Sequence, residues 1–181
     1  MVIAKSGNGR TRIFKTGGFS LRRLHRVFFP VSYPLFEQEE SEMPNNDLFN
    51  EKSALTLAAA RKIIAAAEAE ALKQGWPVVI AVVDDGGHLI CLHRLDNAQF
   101  GSVEIAIQKA KAAIAFKRPT KEWEKMLADG QQRVLNLPGV LASEGGVPLI
   151  WKDQIVGAIG VSGVKPSEDG QVARAGAGIL G

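Results

Sequence analysis

Val78-Val79-Ile80-Ala81-Val82-Val83-Asp84-Asp85-Gly86-Gly87-His88-Leu89-Ile90-Cys91-Leu92-His93-Arg94-Leu95-Asp96 decides the fold. Val78 to Val83 is continuously apolar and mostly β-branched, which predicts a strand buried on both faces. Asp84-Asp85-Gly86-Gly87 is a turn signal: both glycines are expected to supply positive φ, and Asp85 to cap its own turn. His88 to Leu95 then returns as a second strand, closing a hairpin.

Upstream, Leu57 to Leu72 is an alanine-rich helical run with Thr56 as N-cap, ended by Gly75 and Pro77. Downstream, Ser102 opens a second helix to about Phe116. Val103, Ile107, Ala110 and Ile114 form its expected inner face. Pro119 stops it, and Thr120 is expected to cap a short third helix holding Trp123, Met126 and Leu127. Val147 to Trp151 and Ile155 to Val161 read as a second hairpin around Lys152-Asp153-Gln154, with a further short strand near Val140. Ser167 is expected to cap a last helix whose inner face carries Val172, Gly176 and Ile179; Glu168 and Asp169 suit its N-terminal dipole. The order is α-β-β-α-α-β-β-β-α. It predicts an α/β (α+β) domain with an antiparallel sheet of about five strands and helices packed against it.

The 181 residues are 46% hydrophobic and 23% charged, a globular composition. The net charge of +3 is unevenly spread. Residues 1–36 hold Lys5, Arg10, Arg12, Lys15, Arg22, Arg23 and Arg26 and no acid, leaving 15 basic against 19 acidic residues in the rest. Residues 1–50 are therefore read as a basic leader or arm, processed or artefactual, with Met43 a suitable initiator, and residues 51–181 as a single domain. The expected location is cytoplasmic, or organellar if residues 1–36 are a transit segment. No basic face exists beyond residue 36, so no nucleic-acid partner is expected. No apolar run approaches the roughly 20 residues of a membrane span, so no membrane partner is expected either. Cys91 is the one cysteine, read as a buried strand residue.

From Val78 to Asp96 the chain resembles the GlcG/HbpS family, which includes glycolate-utilisation accessory proteins, secreted haem-binding proteins and the C-terminal domain of PduO-type proteins. Five further matches follow in order: Ala106 to Ala113 around Lys109; Arg118-Pro119-Thr120; Gly145-Gly146-Val147-Pro148; Gly157 to Gly163; and Asp169 with Ala173 to Gly176. Together they span about residues 53–180. The resemblance implies a profilin-like five-stranded α/β domain, homo-oligomers and, in some relatives, haem. Some relatives supply a haem ligand from the first helix, but Leu55 to Gly75 contains no histidine here. That departure counts against histidine-ligated haem and leaves weaker oxygen ligation or no haem, although either His88 or His93 has the chemistry to ligate iron singly.

The candidate contacts to a small anionic ligand or haem are Asp85, Gly86, Gly87, Arg94, Lys109, Arg118, Thr120, Gly145 and Gly146. Each also has a plain structural reading. Arg94 and Asp96 alternate onto one strand face, as an exposed ion pair or as a guanidinium fork for a carboxylate. Lys109 sits on a solvated face or binds an anion. Arg118 flanks free N–H groups at the start of the third helix. Gly145-Gly146 reads as a mobile loop that rims a pocket. Gly157, Gly160 and Gly163 lack phosphate-loop spacing and read as points of close backbone approach. His88 and His93 are five apart on a strand and cannot share a metal, so none is expected. Ser143 and Ser162 have no triad partners. The alternative function is an enzyme acting on a small hydroxy acid or aldehyde, which would use Asp84 or Asp85 with His88 or His93.

Overall fold

The computed structural model describes residues 50–180; the basic arm, His25 and Met43 lie outside the described residues. Helix α1 spans Leu57–Gln74. Strands β1 (Val79–Asp84) and β2 (Leu89–Arg94) form the expected hairpin. Helices α2 (Ser102–Ala115) and α3 (Thr120–Ala128) follow, then strands β3 (Gly146–Trp151) and β4 (Gln154–Ser162), and finally helix α4 (Pro166–Ala177). The sheet order is β2-β1-β4-β3, and every neighbouring pair is antiparallel.

The sheet has four strands, not five. The segment around Val140 is a turn: the Val140 N–H donates to the Leu137 carbonyl at 3.2 Å, and Gly139 has φ +79°. Pro138 has no N–H to give to a ladder. Two expected caps also differ. Pro119 precedes α3, while Thr120 is its first residue and turns its hydroxyl to the Gly146 N–H at 2.9 Å. Lys165 precedes α4, with Pro166 in the first helical position that proline favours. Ser167 therefore falls inside the helix. Thr56 caps α1 as expected, accepting from Ala59 N at 3.1 Å, and Gly75 closes it at φ +70°.

β1 lies inside the sheet and is buried on both sides, as its unbroken apolar run requires. Ile80 and Val82 face a core built with Ile63, Ile64 and Ala67 of α1 and Val172 of α4. Val79, Ala81 and Val83 face Ala106, Ala110 and Ala113 of α2. Two helices thus cover one face and α2 the other. The inner face of α2 is rotated from the expected one: its alanines are buried, whereas Val103 and Ile107 are half-buried. Gly160 on β4 explains the rotation, because a Cβ there would collide with the Ala106 carbonyl and Ala110. Gly157 and Gly163 are comparable contact points, against Val83 and Pro77 respectively. At the edges of the fold, Cys91 is half-buried rather than buried, and Ile179 is 42% exposed in the turn beyond α4.

One ion pair crosses the packed layers. Lys109 of α2 is 2% exposed, and its Nζ donates to Asp169 Oδ2 of α4 at 2.8 Å. Asp169 Oδ1 accepts the Val164 N–H at 3.2 Å. Burial raises the Asp169 carboxyl above its ordinary range, against the opposing pull of the Lys109 ammonium. A solvated Lys109 is therefore ruled out. Gly145 completes the arrangement at φ +133°, where a Cβ would stand 2.9 Å from the lysine Nζ. Gly145 and Gly146 are buried against Lys109 and are not a loose rim.

Two outcomes follow for stability, read from urea unfolding midpoints. Gly160→Ala should cost about 3 kcal/mol by overpacking, while Gly178→Ala, with open space around it, should be nearly neutral. Lys109→Met should cost about 3–5 kcal/mol because it strands a buried carboxylate, and adding Asp169→Leu should recover most of the loss.

Candidate functional site

The candidate residues fall in separate places. At the hairpin tip, Asp84 rather than Asp85 organises the turn. Its Oδ1 accepts the N–H of Gly86 at 2.9 Å and of His88 at 2.8 Å. Only Gly87 takes positive φ, at +80°. Asp85 pairs with Lys52, and the exposed His88 ring stands 3.4 Å from Asp84. The two carboxylates thus serve different partners, and neither reaches His93, which pairs with Ile80 four residues before the end of β1. The tip offers no enclosed acid–base pair for an enzymatic reading.

Lys109, Thr120, Gly145 and Gly146 meet at the buried junction already described. Arg118 lies beside it on the surface, its guanidinium 4.9 Å from the Trp123 ring centroid and 3.7 Å from Glu122. Trp123 Nε1 is buried without a hydrogen-bond partner among the described residues.

Arg94 stands apart, on a cleft that it lines together with His93. This cleft, of about 710 Å³, opens between the C-terminal turn of α1 and the exit of β2. Ala71, Leu72, Trp76 and Leu95 supply apolar wall, and Glu68, His93, Arg94 and Asp96 supply charge or polarity. The strand alternation explains the arrangement. His93 turns toward α1, where its Nδ1 lies 3.1 Å from Glu68 Oε2. Arg94 turns the other way and lies over Phe100, 4.7 Å from the ring centroid. The described ion pairs do not join Arg94 to Asp96, so the exposed-pair reading fails. Glu68 and Trp76 were not foreseen. Nothing in the local sequence of α1 marks Glu68, since its partner is supplied 25 residues later by another element.

No three His, Cys, Asp or Glu side chains gather as a metal-ligand set among the described residues, and no described helix is long and apolar enough to cross a membrane.

The turn makes one pH prediction. The backbone N–H of His88, more than that of Gly86, holds the Asp84 carboxyl below its ordinary value of 3.8. A depressed carboxyl stabilises the fold above its unfolded pKa and loses that contribution as pH falls through the folded value. Asp84→Asn should therefore flatten the acid limb of the stability curve below pH 3.8, measured by thermal unfolding at a series of pH values.

Residues 55–178 match the family described as "Haem degrading protein HbpS-like". Protein GlcG of Escherichia coli strain K12 is 43% identical over 111 residues, covering 61% of this chain and 83% of that protein. Among solved structures, HbpS superposes with a TM-score of 0.67 at 40% identity, covering 74% of this chain and 94% of HbpS. A PduOC–haem complex superposes with a TM-score of 0.63 at 27% identity, covering 70% of this chain and 94% of the other. With the matched segment running from the start of α1 to the end of α4, this chain belongs to the HbpS-like family.

Proposed function

We propose that this chain is a cytoplasmic, homo-oligomeric accessory protein whose domain, residues 51–181, binds haem or another small anionic ligand in the cleft between α1 and β2. The observation that carries the reading is the cleft's combination of an oriented imidazole, a guanidinium and apolar wall. Its volume of about 710 Å³ lies within the range of small-molecule sites.

The residues present fit haem. Glu68 holds Nδ1 of His93, which leaves Nε2 as the nitrogen available to iron. Arg94 has the planar fork that suits a propionate. Trp76, Leu72 and Leu95 offer apolar surface for a macrocycle. When bound, haem supplies a Lewis-acidic, redox-active iron. His93 and Arg94 would hold it, and Glu68 would orient the His93 ring toward it. The relative solved as a haem complex supports this reading. Self-association is favoured by exposed apolar side chains on and beside α2, Phe100 at 81% and Ile105 at 40%, and by the outer edges of β2 and β3, which pair with no further strand among the described residues.

Titration of the full chain with hemin tests the reading. A saturable stoichiometric complex with a shifted Soret band is expected. His93→Ala should abolish the ligation signature, and Arg94→Ala should weaken binding about tenfold, the value of one charge-assisted bond. Absence of a stoichiometric complex, or an unchanged spectrum in His93→Ala, overturns it.

A further inference from the structure

We propose that Glu68 is a positioning residue of the cleft, and that through His93 it makes the site select metal-bearing over metal-free forms of a planar, carboxylate-bearing ligand. This rests on the cleft assignment above and concerns what the cleft accepts.

The inference comes from the proton inventory of one contact. An ionised carboxylate only accepts hydrogen bonds. Glu68 Oε2 stands 3.1 Å from Nδ1 of His93, so in the neutral ring the contact places the hydrogen on Nδ1 and leaves the lone pair on Nε2. A lone-pair nitrogen offers itself to a metal centre and gives nothing to an acceptor. The carboxylate partner also fixes the rotation of the ring. Both residues line the cleft, yet they come from different elements: Glu68 from α1, beside buried Ala67 and Ala71, and His93 from β2. The packing of α1 on the sheet therefore sets the imidazole's direction.

Arg94 supplies the second contact. Arg94 is a lining residue of the same cleft, and its guanidinium lies over Phe100, 4.7 Å from the centroid, on the strand face opposite His93. A ligand that uses both residues must present an electrophilic centre and a carboxylate together. His88 does not duplicate this arrangement, because its carboxylate neighbour Asp84 is occupied by two backbone N–H groups at the hairpin tip.

A merely structural Glu68–His93 contact on a part-exposed surface would steady the fold slightly and leave ligand choice alone. The two roles separate in one experiment. The full chain and its Glu68→Ala, Glu68→Gln and His93→Ala variants are titrated with hemin, zinc protoporphyrin and metal-free protoporphyrin IX. The ferric/ferrous midpoint potential of each hemin complex is also recorded. Glu68→Ala should weaken both metalloporphyrins about 10–100-fold and leave the metal-free compound unchanged. Glu68→Gln keeps an acceptor oxygen without its charge, so its hemin affinity should fall between those of the parent and Glu68→Ala, and its midpoint potential should rise. Equal weakening of all three ligands in Glu68→Ala, or a Glu68→Gln complex with the parent's affinity and potential, overturns the selectivity proposal while leaving the cleft in place. A parent chain that binds none of the three, or a His93→Ala variant that binds hemin as the parent does, overturns the cleft assignment and this proposal together.

Discussion

The architecture depends on how closely α2 approaches β4. A helix normally rides on a layer of side chains; here Gly160 removes the side chain at the contact, and Ala106 and Ala110 remove its counterpart. The helix backbone settles almost onto the strand. That depth fixes which residues of α2 turn inward, so the small alanines are buried and the larger Val103 and Ile107 are left at the margin. On the opposite sheet face, β2 is an outer strand that is only half covered. The partial exposure of β2 is what allows a cleft to open between it and the end of α1.

The same close packing accounts for the buried ion pair. Lys109 lies among the inward alanines of α2, so its ammonium has to find a partner inside the protein. Asp169, in the first turn of α4, provides it. Such a pair gives little net stability over a well-packed apolar substitute, because both ions lose their hydration. A shift of α2 relative to α4 that separated Lys109 from Asp169 would strand two charges. Gly145 and Gly146 are part of this constraint, since the chain must pass the lysine without a Cβ.

Elements set by local chemistry could be read from the residues. The double-sided burial of β1, the hairpin at Asp84 to Gly87, the Thr56 cap and the glycine contacts on β4 all leave a mark within a few positions. Features set by partners distant in the chain could not. Lys109 appeared solvated because its periodic position is ambiguous until the depth of α2 is known. The supposed strand near Val140 has apolar residues, but Pro138 and Gly139 bend it into a turn. Thr120 has the chemistry of a cap, but an orphan N–H on Gly146 claims its hydroxyl first. Arg94 was recognised as a binding candidate, whereas its supports Phe100 and Glu68 were not, because neither neighbours it in a way that spacing reveals.

The two histidines of the folded part show how topology sorts similar chemistry into different uses. Each has a carboxylate near its Nδ1, Asp84 for His88 and Glu68 for His93. At the hairpin tip the carboxylate belongs to the turn: it accepts two backbone N–H groups, and the ring beside it is mostly exposed with no wall around it. At the far end of β2 the carboxylate comes from a helix across a cleft, and the ring it orients sits against apolar surface with a guanidinium one residue away. Composition and motif treat these pairs alike. Only the second places an oriented ring beside a cleft, and that difference follows from His93 facing the end of α1 on an outer strand of the sheet.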